Sequence, residues 1–202
     1  MIDPAGKRAL VTGGARRVGA AMVSALASCG TDVAIHHRGS ADDAEALAAE
    51  CRAKGVNAVV LQADLAEPGA AEALAQQAED ALGGVDILIN SASTWESAPF
   101  DQVDRAMWDR AIATNLTAPM FLSQALGARM AERGFGRIVN ITSSAVKAPI
   151  DILGLSNGAR TGLTGFVAGL SRSGIAAQGV TINNLLPGPF DTDRLKGTMK
   201  GA

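Results

Sequence analysis

The stretch Ala9-Leu10-Val11-Thr12-Gly13-Gly14-Ala15-Arg16-Arg17-Val18-Gly19 decides the fold. Ala9 to Val11 is a short apolar run of the kind that forms a fully buried parallel strand. Beyond it, Val18, Met22, Ala25 and Leu26 fall on one face of an amphipathic helix. Between the two, Gly13 and Gly14 carry no side chain that would block a tight turn or the close approach of a phosphate. The start of the helix aims unpaired N–H groups and the positive end of its dipole at the same spot. Such a turn suits a pyrophosphate. A strand–helix loop without a ligand reads the same locally, so the rest of the chain has to decide.

Strand and helix patterns alternate along that remainder. Asp32 to His36 reads as a strand, followed by a helix with Ala44, Leu47, Ala48 and Cys51 on one face. Asn57 to Gln62 is the next strand, then a helix carrying Leu74, Ala78, Ala81 and Leu82. Val85 to Asn90 is a further apolar run, bounded by Gly83-Gly84. A long helical region from about Gln102 to Met130 precedes a strand at Arg137 to Thr142. A fifth helix from about Gly154 to Ala177 leads to a sixth strand, Val180 to Leu185. This alternation implies right-handed βαβ crossovers and an α/β fold, a doubly wound parallel sheet with helices on both faces. Ligands bind such sheets outside the carboxyl ends of the strands, where the strand order switches. No linker, repeat or low-complexity tract interrupts residues 1–202, which read as a single domain.

Composition agrees with a globular protein: 48% of residues are hydrophobic and 19% charged. A net charge of −2 and a pI near 5.7 argue against a nucleic-acid surface. Cys29 and Cys51 have no metal-ligand spacing and sit at apolar positions of predicted helices, so both are expected to be buried free thiols. With no signal peptide and no apolar run able to cross a bilayer, the expected location is the cytoplasm.

Further motifs follow the glycine turn in order. Asp64-Leu65 comes after the third strand and Asn90-Ser91-Ala92-Ser93 after the fourth. Asn115 lies in the long helical region, Ser143 follows the fifth strand, and Pro187-Gly188-Pro189-Phe190-Asp191-Thr192 follows the sixth. Over essentially its whole length the chain resembles the short-chain dehydrogenase/reductase family. Thr12-Gly13-x-x-x-Arg17-x-Gly19 is similar to the family's T-G-x-x-x-G-x-G, with Arg17 in place of the middle glycine. The Arg16-Arg17 pair and the run His36-His37-Arg38 are most similar to pteridine reductases and 3-oxoacyl-carrier-protein reductases.

The resemblance implies a nicotinamide dinucleotide held by Gly13, Val18, Gly19, Asp64, Leu65, Asn90, Ser91, Ala92, Pro187, Gly188 and Thr192. The second strand bears on which one. An NAD site usually ends that strand in an acid that binds the ribose hydroxyls. Here His36-His37-Arg38 stands instead, with no acid before Asp42. Arg38 suits a 2′-phosphate, with His37 beside it and Arg16 or Arg17 converging from the turn, so NADP(H) is the expected cofactor. The alternative for Arg38 is a solvated surface arginine.

Pro119 has no N–H, so the Asn115 carbonyl loses its helical partner and can hold an ordered water; alternatively Pro119 only kinks the helix. In the family the corresponding asparagine links the active site to solvent through such a water. The family's acid is missing, however. Ser156-Asn157-Gly158-Ala159-Arg160 stands where the family carries Tyr-x-x-x-Lys, and the chain contains no tyrosine at all. A serine hydroxyl is a far weaker acid than a tyrosine activated by an ammonium, and an arginine hardly gives up its proton. On a helix, Ser156 and Arg160 share a face at i,i+4 spacing, which reads as replacement of the pair. Ser156 otherwise reads as an N-cap and Ser143 as a local hydrogen-bonding residue, while Lys147, four residues beyond Ser143, reads either as a source of charge or a proton over the site or as a solvated loop lysine.

The expected catalytic set is Asn115, Ser143, Ser156 and Arg160, acting on a small-molecule carbonyl or alcohol; no metal, nucleic acid or membrane is implied. The alternative is an NADP(H)-binding sensor or a catalytically weak partner subunit. The sequence ends at Ala202, before the family's seventh strand; either the protein is naturally short or this is a truncated form, and the substrate side is then expected to be open or completed by another chain. A glycine stripe at Gly158, Gly162, Gly165 and Gly169, apart from a core stripe at Leu163, Phe166, Val167 and Leu170, points to a homodimer through the fourth and fifth helices, and to a tetramer if the C-terminus is completed.

Overall fold

A computed structural model describes residues 3–94, 96 and 98–190. Six parallel strands form one sheet: β1 (Arg8–Thr12), β2 (Asp32–His37), β3 (Ala58–Gln62), β4 (Ile87–Asn90), β5 (Gly136–Ile141) and β6 (Val180–Leu185). Their order is β3-β2-β1-β4-β5-β6, so the switch in strand order lies between β1 and β4. Every pairing is parallel, with Thr12 opposite Asn90, Asn90 opposite Asn140 and Asn140 opposite Asn184.

Helices α1 (Arg17–Ser28) and α2 (Ala41–Ala53) cover one face. There they meet Ala9, Val11, Val33, Ile35 and Ile89. Helices α3 (Ala70–Leu82), α5 (Ala118–Glu132) and α6 (Gly154–Leu170) cover the other, over Leu10, Ala34, Leu88, Ile138 and Ile182. Adjacent strand residues therefore serve opposite cores, as a period of two demands when both faces are buried. The coverage is incomplete at one edge. In β6, Val180 and Ile182 are buried but Thr181, Asn183 and Leu185 are exposed, so among the described residues only one face of this strand is packed.

Several boundaries and faces differ from the sequence expectation. The buried stripe of α1 is Gly19, Val23 and Ala27, one residue from the predicted Val18, Met22 and Leu26, and Ala25 is exposed. The missing side chain of Gly19 explains the shift, because a Cβ there would stand 2.1 Å from the Gly13 carbonyl oxygen. On α2 the four predicted residues are the buried ones. On α3 Ala71 and Ala75 are buried and Ala81 is exposed. Cys51 is a buried thiol whose pKa is raised by burial, but Cys29 is exposed, since α1 ends at Ser28 and Cys29 is its cap.

The long helical region is three pieces: α4 (Arg105–Ile112), a π-turn at Ala113–Thr117, and α5. Pro119 near the start of α5 supplies no N–H to Asn115, and the Ala118 N–H reaches back to the Ala113 carbonyl, the i→i+5 bond of a π-turn. Helix α6 stops at Leu170, short of the expected Ala177, and a 3₁₀ turn at Ala176–Gln178 follows. Its core stripe is Leu155, Ala159, Leu163 and Val167, with Phe166 and Leu170 at the margin.

The amino end of the sheet is closed by charge. Arg8 donates from Nε (2.9 Å) and Nη2 (2.8 Å) to the two oxygens of Asp86. Arg133 forks onto Glu79 at 3.0 and 3.1 Å. Burial works against the Asp86 charge, but its hydrogen bond and attraction to Arg8 outweigh this and hold the carboxyl below its ordinary value. No helix of the described residues is long and apolar enough to cross a membrane.

Candidate active site

A cleft of about 670 Å³ opens at the carboxyl ends of the strands, astride the switch between β1 and β4. Gly13 has φ +63°, and a Cβ on it would stand 2.9 Å from Cα of Ala92. Only glycine lets the β1 turn lie this close to the loop after β4. Thr12 ties the same loops together: its Oγ1 accepts the N–H groups of Ser91 and Ala92, both at 3.0 Å. Thr12 stood in the motif, but its bracket across two loops has no signature within one segment.

Arg17, which replaces the family's glycine, is the one non-glycine residue with positive φ among the described residues, at +53°. An L-residue in this region costs about 1–2 kcal/mol. Arg16 is taken by Asp43 of α2, with Nε 2.6 Å from Oδ2, a partner that sequence reading missed. Arg38 has no side-chain partner among the described residues and lines the cleft, as do Arg16, Arg17, Val18, Gly19 and His37. His37 is buried, and its Nδ1 has no hydrogen-bond partner among the described residues. Asp64 and Leu65 line the same side; the Asp64 carboxylate accepts the Ala66 N–H at 3.0 Å and so shapes its own loop.

Two expected site residues lie behind the wall. Asn90 is buried in the sheet, donating to Asn140 Oδ1 at 2.8 Å, while Ser91 and Ala92 reach the cleft. Asn140 donates in turn to Asn184, so in-register asparagines bridge three strands. Asn115 is buried in the π-turn and donates to Thr94 Oγ1 at 3.1 Å, which puts Thr94 between it and the cleft. Its Oδ1 has no partner among the described residues.

On the opposite wall, Ser143, Ser156, Arg160, Pro187 and Gly188 come together. Ser156 is inside α6, whose N-cap position is Leu153, so it is not a cap. Arg160 donates from Nε to Ser156 Oγ at 3.1 Å, from Nη1 to the Ile141 carbonyl at 2.6 Å and from Nη2 to Ser93 Oγ at 2.9 Å. The guanidinium thereby joins α6, β5 and the loop after β4. Ser143 Oγ accepts the Ala145 N–H at 3.1 Å, capping a short 3₁₀ turn. In both serines an N–H occupies a lone pair of the hydroxyl oxygen, which turns the hydroxyl proton away from that donor. Lys147, at the end of the same turn, is exposed and is not part of the wall. Thr192 lies outside the described residues.

Comparison with known proteins agrees with this geometry. Residues 7–201 match the short chain dehydrogenase family. Nodulation protein G of Azospirillum brasilense is 37% identical over 93% of this chain and 76% of its own length. Acetoacetyl-CoA reductase of Paracoccus denitrificans is 33% identical over 94% and 76%. Among solved structures, a blue fluorescent protein from a metagenomic library in complex with NADPH aligns with a TM-score of 0.89 and 37% identity, over 95% of this chain and 78% of that one. FolM alternative dihydrofolate reductase 1 from Brucella canis, complexed with NADP, aligns with a TM-score of 0.88 and 33% identity, over 98% and 80%. With the strand order, the glycine turn and the cleft at the switch point, these matches establish that the chain belongs to the short-chain dehydrogenase family, and with it to the oxidoreductases.

Proposed function

We propose that the protein is an NADP(H)-dependent oxidoreductase that interconverts a carbonyl and its alcohol. The observation that carries the cofactor choice is the Arg38 guanidinium, unpartnered among the described residues at the end of β2, where an NAD site would place an acid. The cleft fits the group: Gly13 and Gly19 leave the turn no Cβ, and His37 Nδ1, without a partner among the described residues, lies on the wall beside Arg38. Arg38, with Arg17, would hold the 2′-phosphate, the turn the pyrophosphate, and Asp64 and Leu65 the adenine side. Structural relatives crystallised with NADP or NADPH support the same choice. When bound, the dinucleotide supplies or accepts the hydride.

The chain's own residues would orient the carbonyl. Arg160 donates to Ser156 Oγ, so the hydroxyl proton of Ser156 is polarised by a neighbouring charge and free to point at a carbonyl oxygen. Ser143, its oxygen occupied by the Ala145 N–H, can donate likewise. Two hydroxyls backed by N–H donors would stabilise a developing alkoxide without giving it a proton. The proton would come from water, for which Thr94 and the orphaned Oδ1 of Asn115 offer a polar route.

A homodimer through the region predicted as the fourth helix, which is α4 and α5, and through α6 remains part of this reading. Gly165 and Gly169 are open, while Gly158 and Gly162 are used within the chain, each 3.2 Å (from an added Cβ) from Trp108 or Leu116. Light scattering measures this directly. The functional test is titration with NADPH and NADH, followed by NADPH oxidation against ketones, aldehydes and quinones. Preferential NADPH binding with turnover is expected. NADPH binding without turnover on any carbonyl would favour the sensor or partner-subunit reading.

A further inference from the structure

Strand β2 delivers a buried polar side chain that the binding scheme above does not use. His36 is 2% exposed and lies in the floor of the cleft. Its Nδ1 accepts the N–H of Gly13 at 3.1 Å, and its Nε2 faces the Ala63 carbonyl oxygen at 3.1 Å. A neutral imidazole with its proton on Nε2 satisfies both neighbours at once, accepting at one nitrogen and donating at the other. Burial lowers its pKa to about 4, so this is the form present near neutrality. The backbone adds a third tie, from the Gly14 N–H to the His36 carbonyl at 2.9 Å.

The two ends of the ring reach different loops. Gly13 opens the glycine turn after β1, whereas Ala63 immediately precedes Asp64 and Leu65 in the loop after β3. These loops are separate in sequence, and the ring is a hydrogen-bonded strut between them. We infer that His36 is a positioning residue for the dinucleotide: strung between the Gly13 N–H and the Ala63 carbonyl, its imidazole holds the pyrophosphate turn and the adenine-side loop at binding distance. This rests on the dinucleotide reading above and adds to it a residue that acts through the two loops. Its signature separates it from Arg38. Pyrophosphate and adenine are common to NADPH and NADH, so losing the strut weakens both cofactors alike.

The test uses the wild type, His36→Phe, which keeps a buried ring without either hydrogen bond, and His36→Gln, whose amide can both accept and donate. Dissociation constants for NADPH and NADH are read from nicotinamide fluorescence, with thermal melts recorded on the same samples. His36→Phe should weaken both cofactors by about tenfold, the loss expected for one to two neutral hydrogen bonds. His36→Gln should stay near the wild type. Unchanged constants in folded His36→Phe, a loss confined to NADPH, or an equal loss in both variants would overturn the inference. If His36→Phe does not fold, His36→Asn replaces it: too short to reach both loops, it should weaken both cofactors, and wild-type affinity there overturns the proposal. Wild-type protein that binds neither cofactor overturns the functional reading and this inference together, and is seen before any variant is made.

Discussion

Arg8 and Arg133 at one end of the sheet and Arg17 and Arg38 at the other are treated in opposite ways. At the amino end, Arg8 is paired with Asp86 and Arg133 with Glu79, and the charges cancel. At the carboxyl end, Arg17 and Arg38 face the cleft with no carboxylate partner among the described residues, and Arg17 holds a left-handed backbone to be there. Paired arginines fasten the sheet; unpaired ones leave positive charge for an anion. A carboxylate partner thus separates stability from binding more clearly than residue type does, and Arg16, held by Asp43 at the carboxyl end, falls with the fastened set.

The sharpest way to break this comparison is Arg160, which joins three elements of the reaction wall through neutral partners. Arg160→Ala should lower kcat by about 10²–10³, the loss for an oxyanion-stabilising donor, with NADPH affinity largely kept. Steady-state NADPH oxidation measures it, and an unchanged kcat rejects the role.

Acid should act on the cofactor wall. His36 has a folded pKa of about 4 against an ordinary value near 6.5. Between these values the unfolded chain binds the extra proton, so stability is full above about pH 6.5 and falls as pH drops toward 4. The contribution is about 3 kcal/mol, and urea melts across this window should show a loss that His36→Gln flattens.

At the amino end, Asp86→Ala should cost about 2–3 kcal/mol, less than a fully buried pair because Arg8 is partly exposed. The melting temperature should drop while the NADPH dissociation constant of the folded protein stays put. A change in cofactor affinity would break the division between the two ends.

Arg38→Ala should do the reverse, with no change in melting temperature and a loss of about 1.5–3 kcal/mol in NADPH binding but none in NADH binding. Equal wild-type affinities for the two cofactors would reject the 2′-phosphate role. The smallest effect is expected from Arg17→Gly, which relieves the positive φ and should stabilise the protein by about 1 kcal/mol while weakening NADPH. Stabilisation without weaker binding would mean that the strain serves something else.

The βα alternation, and with it the parallel sheet and a ligand site at its carboxyl edge, is legible in residue order alone. Strand and helix periods are local properties of the chain, and Gly13, Gly19 and Pro119 act through the backbone at their own positions. The lack of a tyrosine in the reaction wall is legible there too, and no packing can restore it. Contacts between segments far apart in the chain emerge only once the chain is folded. Arg160 meets Ser93 and the Ile141 carbonyl, Arg16 meets Asp43, His36 bridges Gly13 and Ala63, and Asn90 turns into the sheet toward Asn140. Each depends on which loops the strand order brings side by side and on the direction in which a side chain leaves its strand or helix. The same holds for Cys29 and for the register of α1, where one residue past a buried stripe is already in solvent. Periodicity gives the helix and its spacing, but the close approach at Gly19 sets its rotation against the sheet.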